Sequence, residues 1–146
     1  MNREDNVVFV LQKAVEQLKI KVSKESIKED LLSNSNYPSL KSICDTLKKY
    51  NVEYYPLKLT NDEIKELEMP FIVHSDQGGG RLFFVKEIKN NKVTFFVSEK
   101  KIEIRGFEDF SKLLSGAVIL MQAKEDSGEK EYKTKRQNGE CKINSV

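Results

Sequence analysis

The chain has 146 residues, enough for one domain with a single core, and its 38% hydrophobic and 33% charged content suits a water-exposed surface around it. Lysine and arginine number 25 against 23 aspartate and glutamate, and a net charge of +2 is too even for a nucleic-acid surface. No stretch reaches the roughly 18 apolar residues of a membrane span, and the N-terminus MNREDNVVFVLQKAVEQ, acidic ahead of an apolar run broken by Gln12 and Lys13, is no secretory signal.

In chain order, VVFVLQKAVEQLK places Val7, Val10, Leu11, Ala14 and Leu18 at helical spacing, which predicts one buried stripe. Ser23 is placed to cap a short second helix with Ile27 and Leu31 four apart. YPSL opens a third helix, with Pro38 in its first turn and Leu40, Ile43, Cys44 and Leu47 on one face. Asn51 follows Lys48 and Lys49 as a left-handed stop. The period then changes. Val52 to Leu59 reads as a strand, with Pro56 marking an edge or a bulge. Thr60 and Glu63 have capping-box spacing ahead of Ile64 and Leu67. FIVH, LFFVKEI and VTFFV are strands, the last two joined by an Asn-Asn hairpin turn. A short strand around Ile102 and Ile104 follows. Phe107, Phe110 and Leu114 are spaced for a short helix, and AVILM closes the set as a buried strand. Helices followed by an antiparallel sheet make the fold class α+β. The domain is assigned to residues 1–123. Residues 124–146, polar and without apolar period, are expected to be a charged, disordered tail or linker.

Cys44 sits in an apolar helical stripe and Cys141 in the polar tail. With one histidine and no CxxC, no metal site and no cofactor are expected, and a reducing compartment is the simpler inference. In HSDQGGGRLFFV, His74 precedes Gly78, Gly79 and Gly80, but the glycines run into a strand. A phosphate loop needs a helix and a Lys-Ser/Thr after it, so the bland reading is a turn between strands. His74 alternates with Ile72 and reads as a hydrogen-bonded structural residue, with Asp76 only a nominal orienter. The aromatic pairs could stack single-stranded nucleic acid, but alternation puts about half of them in the core and no basic groove accompanies them.

The order of IKVSKESIKEDL, YPSLKSICDTLKKYNVEYYPLKL, MPFIVHSDQGGGRLFFVKEIKNNKVTFFV and FEDFSKLLSGAVILM resembles the bacteriocin-processing cysteine peptidases, cysteine peptidase family 39, over about residues 6 to 121. The resemblance implies a papain-like fold, with N-terminal helices packed on an antiparallel sheet. It also implies a nucleophilic cysteine opening the first helix, a histidine starting a later strand and an aspartate after the next strand. Such a set works because a helix N-terminus favours thiolate, the imidazole takes the proton and the acid fixes its tautomer. Carried over, the three positions fall on Asn6, Leu82 and Val97 (or Ser98). An amide cannot be a thiolate and an aliphatic chain cannot carry a proton. The expectation is a pseudoenzyme.

The resemblance further implies an accessory domain binding a peptide or unfolded polypeptide at the cytoplasmic face of a bacterial inner membrane. It would belong to a longer membrane protein, either an ABC exporter or a vitamin K epoxide reductase and thioredoxin-type fusion. The expected peptide-binding residues, in a groove between first helix and sheet, are Asn6, His74, Gly78, Gly79, Gly80, Arg81 and Leu82. Addition along a sheet edge there would supply backbone hydrogen bonds. The rival is an active cysteine peptidase with a rearranged site built from Cys44 and His74, and a third reading is a purely structural module.

Overall fold

The computed structural model describes residues 3–77, 81–98 and 101–128. Gly78, Gly79, Gly80 and the segment 129–146 therefore lie outside the described residues. Three helices come first: α1 (Arg3–Gln17), α2 (Lys24–Leu32) and α3 (Leu40–Lys49). They are followed by β1 (Glu53–Lys58), α4 (Asn61–Lys65), β2 (Phe71–Ser75), β3 (Arg81–Lys89), β4 (Lys92–Ser98), β5 (Lys101–Gly106), α5 (Phe107–Ser111) and β6 (Leu114–Gln122). The strands form one antiparallel sheet in the order β1-β6-β2-β3-β4-β5. Pro56 lies in β1 at one edge, where its missing N–H removes no ladder bond from a neighbour.

Local chemistry sets most boundaries. The Ser23 hydroxyl accepts from the Ser26 N–H at 3.1 Å, and Thr60 and Glu63 complete a reciprocal capping box. Asn51 takes φ 59°, and the Val52 N–H closes the end of α3 on the Leu47 carbonyl. Asn90 and Asn91 both have positive φ (53° and 61°), the hairpin geometry that their sequence predicts. Two boundaries differ from expectation. The third helix starts at Leu40 with Ser39 as its N-cap, so Pro38 stands in the turn before it, after a cis bond to Tyr37. Leu114 opens β6 rather than continuing a helix, because it pairs with Ser75.

Val7, Val10, Leu11 and Ala14 are all buried, as their spacing predicts, and Phe9 and Val15 widen that face. They form the first core with α2, α3 and the near face of the sheet, including Ile72, Leu82, Phe84 and Phe96. Each fully buried aliphatic side chain there contributes about 1.5–3 kcal/mol. The far face carries a second core, in which Phe71, Val73, Phe83, Val85 and Phe95 meet Ile64 of α4 and Phe107 and Phe110 of α5. Both members of each FF pair are therefore buried, one in each core, and neither pair leaves a ring for nucleic-acid stacking; of the tyrosine pair in β1, Tyr55 is exposed on an edge strand. Sequence reasoning expected only half. The sheet is covered on both sides, so alternation sorts the rings between two interiors instead of between interior and solvent.

Lys13, which interrupts the apolar run of α1, is 9% exposed; its ammonium lies 4.7 Å from the centre of the Phe96 ring and 3.3 Å from Glu16. Beyond β6 the chain turns back on α3: the Gly128 N–H donates to the Tyr50 carbonyl and the Ser127 hydroxyl to that of Asn51. Among the described residues, no helix is long and apolar enough to cross a membrane.

Candidate functional site

A cleft of about 170 Å³ opens where the first turns of α1 and α3 approach the adjoining ends of β2 and β3. It is lined by Asn6 and Val7 from α1, Pro38, Ser39 and Leu40 at the start of α3, His74 from β2, and Arg81 and Leu82 from β3. Four of the seven residues expected from sequence, Asn6, His74, Arg81 and Leu82, thus come together. The three glycines are not described.

The innermost feature is a clamp. Asn6 is 2% exposed, and its amide meets the backbone of Leu82 from both sides. Nδ2 donates to the Leu82 carbonyl at 3.0 Å, and the Leu82 N–H donates to Oδ1 at 2.8 Å. An asparagine side chain is a primary amide, so it reproduces the donor–acceptor pair that a neighbouring strand would offer. The two residues are 76 positions apart in sequence and join the first helix to the centre of the sheet. Val97 follows Phe96, which pairs with Phe84, two residues along β3 from Leu82. Of the three positions that the resemblance assigns to nucleophile, base and acid, Asn6 and Leu82 therefore meet in the cleft, and Val97 lies on the neighbouring strand β4.

His74 faces the same cleft from the first-core side of β2, and Ser115 of β6 holds it there. The Ser115 hydroxyl donates to the His74 carbonyl at 3.0 Å, so its single proton is used. The same Oγ lies 2.9 Å from His74 Nδ1, so one hydroxyl meets both the backbone and the ring of His74. Asp76 Oδ1 stands farther from Nδ1, at 3.7 Å, with its side chain 80% exposed. Ser115 reaches His74 because β6 bulges there: the register shifts between Val73 and Ser75, and Gly116 takes φ 98°. A Cβ at Gly116 would come within 3.2 Å of the Leu59 carbonyl, so the bulge requires glycine. Sequence reasoning missed Ser115; the Ser-Gly pair inside an apolar strand was its signal.

Arg81 lines the cleft by position, but its guanidinium lies 5.8 Å from the Phe83 ring centre, and Phe83 belongs to the opposite core. Pro38, Ser39 and Leu40 are lining residues that sequence reasoning did not assign. The turn carrying them is pinned by Asp45 of α3, whose Oδ2 accepts from the Asn34 and Asn36 amides, while Lys41 pairs with Oδ1. The Asn34 hydrogen bond first, and Lys41 next, hold the Asp45 carboxyl below its ordinary range. The Ser39 hydroxyl bonds back to the Asn36 carbonyl and does not cap α3, while the Ser39 carbonyl accepts from the Ser42 N–H at 3.0 Å.

Strand addition, expected in this groove, has no free edge to use there. β2 is bonded to β6 and β3, and β3 to β2 and β4. The free edges are β1 and β5. Cys44 is half-buried against the first core, one turn beyond Leu40, and is not among the residues lining the cleft. Burial first, and the Asp45 carboxylate second, push its thiol above the ordinary value. Less thiolate is present at any given pH, and reaction of Cys44 with a disulfide reagent at pH 7 is expected to be at least about tenfold slower than that of a free cysteine. The rate should climb as the pH is raised. Time-resolved mass mapping, which separates Cys44 from Cys141, checks this. Among the described residues, no group of three or more potential metal ligands occurs.

The geometry agrees with known folds. The peptidase domain of Streptococcus ComA, described as a bifunctional ABC transporter involved in quorum sensing, superimposes with a TM-score of 0.69 at 21% identity. The match covers 85% of this chain and 95% of that one. A double glycine motif protease from an AMS/PCAT transporter, solved in complex with its leader peptide, gives 0.73 at 15% identity over 85% and 88% of the two chains. The Streptococcus mutans ComA peptidase domain gives 0.59 at 21% identity over 83% and 93%. No individually curated protein matches at a significant level. The six-stranded antiparallel sheet with its helical layer is thus the papain-like fold of these peptidase domains. The profile of the Peptidase C39 family matches residues 1–126, and the chain belongs to that family.

Proposed function

We propose that this domain is a non-catalytic member of its family, which holds a peptide in the cleft between α1 and the sheet without cutting it. The observation that carries the reading is the Asn6–Leu82 clamp. At the positions where the family resemblance calls for thiol and imidazole, a buried amide is consumed by two backbone hydrogen bonds. Neither group can attack a carbonyl or move a proton. The remaining imidazole is tied through Nδ1 to Ser115, and the high-lying thiol of Cys44 stands outside the cleft lining.

Binding is supported by the cleft itself, which offers the apolar faces of Val7, Pro38, Leu40 and Leu82 beside the imidazole of His74 and the hydroxyl-bearing Ser39. A few fixed polar groups among apolar walls are the ordinary make-up of a ligand cleft. It is supported too by the double glycine protease of the same fold, which was solved with a leader peptide. The ligand is a leader-type peptide or an unfolded polypeptide of that chemistry. The setting is the cytoplasmic face of a bacterial membrane protein. An ABC exporter is favoured over a disulfide-chemistry fusion, because the solved domains of this fold come from ABC transporters.

Titration of the ¹⁵N-labelled domain with a peptide ending in a double glycine tests the binding half. Shifts are expected at Asn6, Val7, Ser39, Leu40, His74 and Leu82. Shifts confined to the α4–α5 face, or none at millimolar peptide, would sink it.

A further inference from the structure

We propose that β5 is a self-association edge, where a second copy of this chain pairs antiparallel about Ile104 and extends the sheet across a two-fold axis. The two edges of the sheet differ in kind. β1 carries Pro56 at its centre, and a residue without an N–H blunts that edge against further pairing. β5 has no proline between Lys101 and Gly106, and its outer backbone groups have no strand partner among the described residues. It also exposes apolar surface: Ile102 and Ile104 are 50% and 66% exposed. Opposite Phe96 and Thr94 in the ladder, they continue the first-core face of the sheet beyond Phe96.

The alternation of the strand selects the occupant. Lys101, Glu103 and Arg105 share the other face, where Glu103 and Arg105 are bonded at 2.6 Å and Arg105 lies over the Phe95 ring. In an antiparallel pair centred on Ile104, Glu103 faces Arg105 of the second copy and Arg105 faces Glu103. The two bonded pairs then close into a ring of alternating charge. Ile104 meets its own counterpart, and Ile102 extends the apolar strip on the opposite face. Centring on Glu103 sets glutamate against glutamate and Lys101 against Arg105. Parallel pairing in register sets every charge against its like. Centring on Ile102 leaves only three residues of the strand paired, against five for Ile104. Opposite charge, matched faces and ladder length all favour the one register. A five-residue ladder is small beside the about 800 Å² per partner of a stable interface, so the association depends on concentration.

Sedimentation of the wild-type chain from micromolar to millimolar concentration tests this. A concentration-dependent dimer is expected. Glu103→Arg should weaken it by about tenfold or more, by setting arginine against arginine, and the double variant Glu103→Arg/Arg105→Glu should restore it. Ile104→Lys should abolish it. Circular dichroism confirms that each variant is folded, which the exposure of these side chains favours. A wild type monomeric at millimolar concentration would overturn the proposal. So would a dimer indifferent to both single changes, or β5 amide shifts induced by a double glycine peptide with no dimer.

Discussion

Replacing Asn6 with alanine should cost about 2–3 kcal/mol and lower the melting temperature by roughly 10 °C. The change strips partners from two buried backbone groups at once, the Leu82 N–H and carbonyl, and Leu82 is only 4% exposed. An unmet polar group in the interior carries most of its desolvation penalty, whereas a polar contact at the surface is replaced by water. Gln12→Ala provides the contrast on the same helix. Its amide bonds the Lys24 carbonyl in an exposed setting, and its loss should stay within about 0.5 kcal/mol. Urea denaturation of the two variants checks the difference. Equal stabilities would mean that water from the cleft satisfies Leu82, and that the clamp is not the structural element described above.

Phe110→Ala is expected to be the most damaging single truncation, at about 4 kcal/mol. Phe110 is fully buried, with its ring 4.8 Å from Phe95 and 6.2 Å from Phe83 between centroids. It is the plug of the second core, and α5 is a five-residue helix too short to hold without packing. Deleting the ring leaves a cavity against two other rings that cannot collapse onto each other. Thermal and urea unfolding should both show the loss. A loss below about 1 kcal/mol would mean that the far face of the sheet is not a packed interior.

Most elements were legible because their signals are local. The stripe of α1, the caps at Ser23 and Thr60, the left-handed Asn51 and the Asn90–Asn91 turn each depend on a few neighbouring residues. Pro38 was misplaced because a proline fits either the first turn of a helix or the turn before it. The choice was settled by the Asn34–Asn36 segment bound to Asp45, a contact across α3 rather than along the chain. Leu114 was misplaced because its spacing from Phe110 suits a helix, while its pairing with Ser75 is set by β2.

The cleft was half legible. The family resemblance located Asn6 and Leu82, but nothing local says that the two bond each other across 76 residues. For Ser115 the Ser-Gly pair marked a bulge but not a partner: His74 lies 41 residues away and meets it beside the Gly116 bulge. Arg81 was expected to serve the groove. It lines the cleft, and its guanidinium also lies 5.8 Å from the ring centre of Phe83, two residues on and on the same side of β3. Lys13 looked like a break in an apolar run, yet its stem and ammonium pack on Phe96.

The most direct measurement is an intact-mass time course of a peptide carrying a double glycine motif, incubated with the purified wild-type chain and with Cys44→Ala. The expected result is uncut peptide with both proteins over hours, at concentrations where the titration shows the cleft occupied. Cleavage after the double glycine by the wild type, lost in Cys44→Ala, would contradict a domain that holds a chain without cutting it.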